Sequence, residues 1–400
     1  MKAKNLLYFQ SGGPTAVINS SLYGVFIEAK KHPEIKHILG AKFGIEGVLN
    51  EDFCILDEEE KEEIELLKQT PDMALGSSRK NLPPSLSDPI YPKLEEILNR
   101  YEIGYLLING GNDSMLTAYR IFSYLKNKSS DIRVIGIPKT IDNDLIGADH
   151  TLGYPSAALH TIRHIEMVAQ DGLIYSKGKI QIVETMGRDT GWLAASSDIL
   201  PPLLHPDFIL VPEMNISLPS FYKQLKEVYE KKKRALIVLS EGVNPNVGEE
   251  RDPFGHENFE GAAYHWANYI KKELGLSSRV TVLSSPARSD PYSLSHIDVK
   301  EAVACGEKAV ELALNGYSGV IPQIERISHN PYQSSFKIEE LANVGGKVRY
   351  LPQEFLFDNT KMTLAFREYL LPLLVREDIK LDIKGCSLYS KLKLTSYKLP

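Results

Sequence analysis

Cysteine is scarce in this chain of 400 residues, which contains only Cys54, Cys305 and Cys386. The three are scattered and form no CxxC pair, so the sequence offers neither a disulfide framework nor a cysteine zinc site. Such usage is typical of a reducing compartment, and we therefore expect the protein to be cytoplasmic.

Long apolar runs and an excess of positive charge are also missing. No stretch approaches the roughly 18 apolar residues of a membrane helix, and the apolar run in MKAKNLLYFQSGG is too short for a signal peptide. The formal net charge is -6, and no basic tail is present. We expect neither a membrane partner nor a nucleic-acid partner.

What the chain does contain is enough apolar sequence for a large core. Hydrophobic residues make up 43% of it, and its length predicts two or three domains or one large bilobal unit. Short apolar runs alternate with longer helix-patterned segments, which is typical of an α/β fold with covered parallel strands. The acidic segment 51–67 is predicted to be a surface helix. Strands are predicted at 5–9, 37–43, 105–109, 133–137, 179–184, 208–211, 235–240 and 279–283, and helices at 153–170, 217–233, 257–273 and 298–315.

Polar and glycine-rich loops follow several of these strands. SGGPTA follows the first predicted strand, NGGNDS the third, PKTIDND the fourth and ETMGRDTGW the fifth. In open α/β sheets, ligands bind at the carboxyl ends of the strands. We therefore expect these loops to converge on one crevice.

The first two loops each combine a glycine pair with the start of a helix. Gly12 and Gly13 let the backbone approach a ligand closely, and a helix N-terminus favours an anion. Their loop matches neither GxGxxG nor GxxxxGK[ST], so a tight turn is as good an interpretation as a phosphate loop. In the second loop, Asn112, Asp113 and Ser114 either cap a helix or provide Asp113 as a ligand of Mg²⁺.

The loop PKTIDND crowds a cation and two carboxylates into one turn. Phosphoryl transfer needs charge neutralisation and a base for the acceptor hydroxyl. Lys139 can supply the positive charge, and Thr140 can donate a hydrogen bond to a phosphate. Asp142 can be the base, and Asp144 can orient that base or the metal. The alternative is a solvated turn, although such a turn does not need a lysine beside carboxylates.

Two further loops carry arginine beside glycine or serine. MGRDTGW places Arg188 beside Gly187 and Gly191, and GSSRKN contains Arg79 and Lys80. An arginine in this setting suits bidentate contact with a phosphate. The alternative for each is a surface arginine in a loop.

Together these loops resemble the motifs of the phosphofructokinase family. The resemblance runs in family order through SGGPTAVIN, GSSR, GGNDS, GIPKTIDNDL, TLGYPSA, ETMGRDTGW, LVPE and LSEG. It implies two Rossmann-like α/β lobes with mainly parallel sheets and the active site in the cleft between them. The implied boundaries are residues 1–154 with 287–340 for a phosphoryl-donor lobe, 155–286 for a sugar-phosphate lobe, and 341–400 for a C-terminal extension.

Two positions separate the phosphoryl donors within this family. ATP-using members generally have glycine after the acidic residue of GGD and before the threonine of TIDND, whereas pyrophosphate-using members have Asp and Lys. This chain has Asp113 and Lys139 there. The resemblance therefore implies Mg²⁺-dependent transfer from pyrophosphate to O1 of fructose 6-phosphate, giving fructose 1,6-bisphosphate and phosphate. It also implies a reversible reaction in glycolysis or gluconeogenesis.

The resemblance also assigns roles to individual residues. The implied catalytic residues are Asp142 as the base, Lys139, Thr140 and Arg188, and the implied metal ligands are Asp113 and Asp144. The implied donor-binding residues are Gly12, Gly13, Arg79, Gly111, Asn112, Asp113 and Ser114. The implied sugar-phosphate residues are Lys179, Met186, Gly187, Arg188, Glu241, Arg279 and Arg288. Lys179 and Arg279 match positions that reach in from a neighbouring subunit, which implies a homodimer or homotetramer.

The sequence departs from the family pattern at two places. Asn112 replaces the more usual acidic residue, which removes one possible magnesium carboxylate. The loop SSPARSDPY replaces a form close to GxxQRGG, and Ser285 stands where a His or Tyr often contacts the sugar. The alternatives left open are ATP as donor, sedoheptulose 7-phosphate as acceptor, or a non-catalytic regulatory subunit. A Rossmann dehydrogenase is disfavoured because no GxGxxG follows the first strand.

Overall fold

The computed structural model describes residues 3–174, 176–243 and 261–399. The chain divides into two compact units. The first unit comprises Met1–Ser156, Arg288–Val348 and Val375–Pro400, and the second comprises Ala157–Ala287 and Arg349–Leu374. None of the described helices is both long enough and apolar enough to cross a bilayer.

Strands and helices alternate through most of the described ranges. The strands are β1 (Lys4–Gln10), β2 (Ile35–Ala41), β3 (Phe53–Ile55), β4 (Ile103–Gly110), β5 (Arg133–Pro138), β6 (Ile180–Thr185), β7 (Phe208–Leu210), β8 (Ala235–Ser240), β9 (Ser278–Val282), β10 (Val320–His329) and β11 (Tyr332–Glu340). The helices are α1 (Ile18–Ala29), α2 (Gly44–Leu49), α3 (Lys61–Leu66), α4 (Ile90–Arg100), α5 (Asn112–Asn127), α6 (Tyr154–Leu173), α7 (Trp192–Ser196), α8 (Leu218–Lys232), α9 (Ala262–Leu274), α10 (His296–Leu314), α11 (Leu341–Val344) and α12 (Leu364–Leu370).

The first unit is built on a sheet with the strand order β11-β10-β5-β4-β1-β2-β3. The central strands β5, β4, β1 and β2 are parallel, whereas β3 and β11 pair antiparallel at the two edges. Successive residues of β1 enter different apolar clusters: Leu7 and Phe9 lie in one, and Leu6 and Tyr8 in the other. Because neighbouring residues of a strand point to opposite faces, both faces of this sheet are covered. This is the physical reason that the strand sequences are apolar throughout.

The second unit contains a parallel sheet with the order β7-β8-β6-β9. Its core includes Ile182, Leu210 and Ile237 from the strands, packed with Phe221 of α8 and Trp266 of α9. The rings of Phe221 and Trp266 meet edge to face, with centroids 5.1 Å apart, which is a favoured aromatic geometry. The α/β class with mainly parallel sheets, predicted from the sequence, is therefore confirmed.

The segment Arg349–Leu374 is held in the second unit by polar contacts. The Arg349 guanidinium lies 4.3 Å from the Trp192 ring centroid. The buried Asp198 carboxylate accepts hydrogen bonds from Arg367 Nε at 2.6 Å and from the Met362 amide at 2.8 Å. These contacts divide the tail that sequence reasoning treated as one extension: its middle part belongs to the second unit, and Val375–Pro400 belongs to the first.

The predicted strands all appear, with ends that shift by two residues or fewer. The helices also appear, although residues 257–260 of the predicted helix 257–273 lie outside the described residues. The prediction of a surface helix over 51–67 was wrong. There Phe53–Ile55 are buried and form β3 against β2, and only Lys61–Leu66 are helical. The hairpin of β10 and β11 was also missed, because its outer half alternates exposed and half-buried residues and carries no apolar run.

Helices α1 and α10 pack closely through glycine. A Cβ atom added to Gly306 would lie 2.2 Å from the Ser21 carbonyl oxygen, and one added to Gly24 would lie 2.0 Å from the Val303 carbonyl oxygen. Backbone atoms cannot move aside as side chains do, so these positions admit no larger residue without separating the helices.

We expect Gly306→Ala to lower the free energy of unfolding by about 2 kcal/mol or more, since overpacking outweighs the gain in helix propensity. Urea unfolding followed by circular dichroism measures this. Gly172→Ala is the matched control, because Gly172 is also helical but its added Cβ would make only an ordinary contact, 3.6 Å from Gln181 Cγ. Equal effects of the two substitutions would contradict the packing argument.

A buried charge network ties the β10–β11 hairpin to the loop before α6. The fully buried His150 ring contacts Asp149 Oδ2 at 2.9 Å and Glu301 Oε2 at 2.7 Å. Tyr332 donates to Glu301 at 2.7 Å, and Arg326 pairs with Asp149 at 2.9 Å. Burial lowers the pKa of His150, but the two carboxylates outweigh it and raise the pKa to about 9. The ring is therefore charged at neutral pH.

We expect His150 to stabilise the fold fully below its unfolded-state pKa of 6.5 and to lose that contribution as pH rises through about 9. The stability advantage of the wild type over His150→Gln should therefore shrink between these two values. Urea midpoints of both proteins across this range measure it. An advantage that is constant or grows with pH would mean that His150 is neutral in the folded state.

Candidate active site

Three adjacent strands of the first unit end at the same edge of the sheet. β1, β4 and β5 are neighbours and parallel, so the loops at Ser11, Gly111 and Lys139 emerge side by side. The Gly12 amide donates to the Ser78 carbonyl at 3.3 Å, and Ser77 Oγ donates to the Gly12 carbonyl at 2.6 Å. The loop that carries Arg79 is thereby fastened to the glycine loop after β1.

The side chain of Lys139 is buried among these glycines. Its Nζ donates to the Gly13 carbonyl at 2.5 Å, and only 4% of the residue is exposed. A Cβ added to Gly12 would lie 3.3 Å from this Nζ, and one added to Gly111 would lie 3.9 Å from it. Gly12 also has φ +82, which disfavours other residues. Gly12 therefore leaves space that the ammonium group occupies, whereas a side chain at Gly111 would make only an ordinary contact with it.

The electrostatic surroundings of Lys139 are mixed. Burial is the main cause that lowers the pKa of this lysine, to about 8, and the positive charges of Arg288 and Arg79 act in the same direction. The carboxylates of Asp144 and Asp142 oppose the shift. The site therefore gathers cations and carboxylates around one buried ammonium group, as the crowded sequence of this turn suggested.

The turn that follows Lys139 is held by its own backbone and side chains. The Thr140 amide donates to the Leu152 carbonyl at 3.0 Å, and the Asp142 amide donates to Thr140 Oγ1 at 3.1 Å. Asn143 has φ +55 and is fully buried. Sequence reasoning missed Asn143, although asparagine between two aspartates is a signal for a left-handed residue.

Asp144 and Asn112 provide oxygen atoms that suit a cation. Asn112 Nδ2 donates to Asp144 Oδ2 at 2.8 Å. Asp144 Oδ1 and Asn112 Oδ1 are buried and have no hydrogen-bond partner among the described residues. Burial raises the pKa of Asp144, whereas hydrogen bonds from Thr140 and Asn112 and the charge of Lys139 lower it. A divalent cation would satisfy both orphaned oxygens, so these residues fit Mg²⁺.

Asp113 fits a metal less well in this arrangement. It lies in the first turn of α5 and is exposed, and it makes no hydrogen bond or ion pair with another described residue. Within the described ranges, no group of three or more His, Cys, Asp and Glu side chains is placed to hold a metal ion. Mg²⁺ commonly uses one or two carboxylates and completes its shell with water and phosphate, so a site around Asp144 is compatible with it.

Arg288 and Ser114 complete the cluster in the first unit. The Arg288 guanidinium would lie 3.2 Å from a Cβ added to Gly13, and Ser114 Oγ would lie 3.7 Å from one added to Gly12. Arg288 therefore lies beside the glycine loop after β1, although the resemblance assigned it to the sugar phosphate. The exposed Arg79 belongs to the same surroundings through its effect on Lys139.

A second group of predicted residues lies at the carboxyl end of β6 and β8 in the second unit. Gly187 has φ +122, and a Cβ there would lie 2.3 Å from the Thr190 carbonyl oxygen. Its amide donates to Glu241 Oε1 at 3.3 Å, and Ser240 Oγ donates to its carbonyl. This turn presents the exposed Arg188 and the half-buried Met186 next to Glu241.

Lys179 and Arg279 lie at the other end of the same sheet. Lys179 directly precedes β6, and Arg279 pairs in register with Gln181 near the start of β6. Arg279 is half exposed and bonds Asp171 at 2.7 Å. At roughly 3.3 Å per residue, β6 separates these two residues from Arg188 by about 20 Å. One copy of the chain therefore does not bring the seven predicted sugar-phosphate residues together.

The loops described above lie within the range that a protein-family model matches. A family model described as phosphofructokinase matches residues 5–313. The chain belongs to the phosphofructokinase family.

Several relatives within the phosphofructokinase family match over nearly their whole length. A pyrophosphate–fructose 6-phosphate 1-phosphotransferase of Xanthomonas campestris is 36% identical over 93% of this chain and 92% of its own. A relative of the same name from Halomonas elongata is 32% identical over 100% of both chains. The crystal structure of a pyrophosphate-dependent phosphofructokinase from Nitrosospira multiformis is 32% identical, has a TM-score of 0.89, and matches over 100% of this chain and 98% of its own.

We expect Asp144→Asn to weaken divalent-cation binding at least tenfold, because it removes the negative charge of a buried carboxylate whose Oδ1 has no hydrogen-bond partner among the described residues. Electron paramagnetic resonance of Mn²⁺, used in place of Mg²⁺, measures the free and bound ion. Asp113→Asn is the matched control, since it removes the same charge from an exposed position. A larger loss in Asp113→Asn than in Asp144→Asn would move the metal site to the start of α5.

Proposed function

We propose that this protein transfers a phosphoryl group from pyrophosphate to O1 of fructose 6-phosphate, giving fructose 1,6-bisphosphate and phosphate. The observation that carries the proposal is the buried Lys139 ammonium, seated on the Gly13 carbonyl among Gly12 and Gly111. A buried, fixed cation beside glycine loops at the carboxyl ends of parallel strands suits a phosphate donor. Relatives with this activity in their names support the same substrate pair.

The choice of pyrophosphate over ATP rests on two side chains. Lys139 and Asp113 stand where ATP-using members of the family generally carry glycine. A lysine and a carboxylate in that space leave less room for the inner phosphate of a nucleotide, and the lysine provides a partner for the second phosphate of pyrophosphate. Its pKa of about 8 keeps most of its population protonated at pH 7.

The transfer itself needs a base and charge stabilisation. Asp142 would take the proton from the sugar hydroxyl, and Lys139 and Thr140 would stabilise the charge on the transferring group. Asp144, together with Asn112 or Asp113, would hold Mg²⁺, which when bound neutralises charge on the phosphate oxygens. The donor side further includes Arg79 and Ser114.

The sugar phosphate would be bound by Met186, Gly187, Arg188, Glu241 and Arg288. Lys179 and Arg279 would serve the site of a neighbouring copy, because the length of β6 separates them from Arg188 in their own chain. We therefore propose that the protein forms a homodimer or homotetramer. It also includes a cytoplasmic location and operation in both directions of glycolysis.

A second acceptor is favoured by one observation in the altered loop. Ser284 holds a left-handed backbone, with φ +38, where the family pattern GxxQRGG begins with glycine, so the departure from the pattern lies in the side chains. Ser285 follows in place of the usual His or Tyr. A larger sugar phosphate such as sedoheptulose 7-phosphate is the acceptor that this change would admit.

We expect purified protein to form fructose 1,6-bisphosphate from fructose 6-phosphate and pyrophosphate with Mg²⁺, but not from ATP. An aldolase-coupled assay measures the product. Asp142→Ala should lower kcat by about 10²- to 10⁴-fold, as expected for a lost general base. Lys139→Ala should lower kcat/KM with pyrophosphate by at least tenfold, because it removes the buried cation.

Lys80→Ala is the control, since Lys80 is an exposed lysine of a neighbouring loop. It should leave both constants within about threefold of the wild type, a free-energy change below one kcal/mol. Activity with ATP alone would overturn the assignment of the donor. Phosphorylation of sedoheptulose 7-phosphate in a parallel reaction, with none of fructose 6-phosphate, would replace the acceptor and keep the donor.

A further inference from the structure

We propose that Asn143 is a positioning residue that fixes the directions of the neighbouring Asp142 and Asp144 carboxylates. The inference rests on the proposed function, because it concerns how the base and the metal ligand of that reaction are aimed. It also predicts an effect on metal binding that does not require the reaction.

The backbone at Asn143 reverses direction between the two carboxylates. Its φ of +55 lies in the left-handed region, which asparagine enters more readily than other residues with side chains. The Asp142 amide before it donates to Thr140 Oγ1 at 3.1 Å, and the Asp144 carboxylate after it accepts from Asn112 Nδ2 at 2.8 Å. An ordinary residue at position 143 would favour a right-handed or extended backbone and would redirect at least one of the two carboxylates.

The side chain of Asn143 fixes the turn from within. Its Oδ1 accepts the Thr151 amide at 2.9 Å and lies 3.4 Å from Thr151 Oγ1. Thr151 Oγ1 in turn donates to the Thr140 carbonyl at 2.9 Å. Asn143 and Thr151 are both essentially unexposed, at 0% and 1%. The turn of residues 139–144, the catalytic turn, is therefore fastened to the segment before α6 by a short, largely buried hydrogen-bond chain.

Asn143 therefore contributes in two ways: its backbone adopts the left-handed conformation, and its side chain accepts the Thr151 amide. Glycine at this position would keep the left-handed backbone and lose the bond to Thr151, whereas alanine would lose both. Because buried donors left without a partner destabilise a turn, the loss of the bond should let the two carboxylates move. A graded response, wild type above Asn143→Gly above Asn143→Ala, is the signature of positioning through both properties.

The experiment compares Asn143→Ala and Asn143→Gly with Asn5→Ala. Asn5 is a buried asparagine whose Nδ2 donates to the Tyr101 carbonyl at 2.8 Å, and it lies near the amino end of β1, away from the catalytic turn. Each variant is assayed for kcat and KM with pyrophosphate and fructose 6-phosphate. Mn²⁺ affinity is measured by electron paramagnetic resonance, and the unfolding midpoint by urea titration.

We expect Asn143→Ala to lower kcat by 10- to 100-fold and Mn²⁺ affinity by at least fivefold, with KM for fructose 6-phosphate within threefold. Asn143→Gly should recover part of both losses. Asn5→Ala should lower the unfolding midpoint and leave kcat and Mn²⁺ affinity unchanged. If Asn143→Ala affected only the unfolding midpoint, as Asn5→Ala is expected to do, Asn143 would be a structural residue and the proposal would be overturned.

Failure of the proposed function would be recognised separately. A wild type inactive with pyrophosphate and every acceptor tested would overturn the reaction, and the Mn²⁺ measurement would then decide the role of Asn143. Weaker Mn²⁺ binding in Asn143→Ala, partly restored in Asn143→Gly, supports positioning of Asp144. Unchanged Mn²⁺ binding in both variants overturns it.

Discussion

The buried ammonium group of Lys139 requires polar partners and space, and the rest of the candidate site provides them. A charged group removed from water is stable only if polar partners replace the water. Lys139 has the Gly13 carbonyl at 2.5 Å and the nearby charges of Asp142 and Asp144. These partners do not fully replace the lost water, and burial therefore lowers the pKa of Lys139 to about 8. Because the ammonium group is buried and hydrogen-bonded, the site holds a positive charge in a fixed position before an anion binds.

Several features of the backbone follow from that constraint. The side chain of Lys139 needs room, and Gly12 provides part of it. Asp142 and Asp144 follow Lys139 in the same turn, and the left-handed Asn143 lies between them. In the second unit, Gly187 is also required for steric reasons, because a side chain there would collide with the Thr190 carbonyl. Both units therefore present polar groups from tight turns at the carboxyl ends of parallel strands.

Buried polar contacts also hold together segments that are distant in sequence. In the first unit, the His150 network joins the loop before α6 to α10 and the β10–β11 hairpin. In the second unit, Asp198 and Glu213 hold the segment Arg349–Leu374, with Glu213 Oε1 accepting the Leu351 amide at 2.9 Å. Glu213 also accepts the Gly191 amide, at 3.1 Å through Oε2. Glu213 thus links the segment Arg349–Leu374 to Gly191, at the end of the loop that carries Arg188.

Local patterns in the sequence predicted the α/β class, most strands and the loops of the candidate site, because apolar runs and glycine turns are local signals. It did not reveal β3 or the β10–β11 hairpin, since their pairing depends on partners far along the chain. The motif placed Lys139 and Asp144 in one turn, but only tertiary structure buried that ammonium group and left an Asp144 oxygen without a partner. Likewise, only the fold brought Arg288 to Gly13 and separated Lys179 and Arg279 from Arg188 by the length of a strand. Distances between segments remote in sequence depend on packing, and no local pattern encodes them.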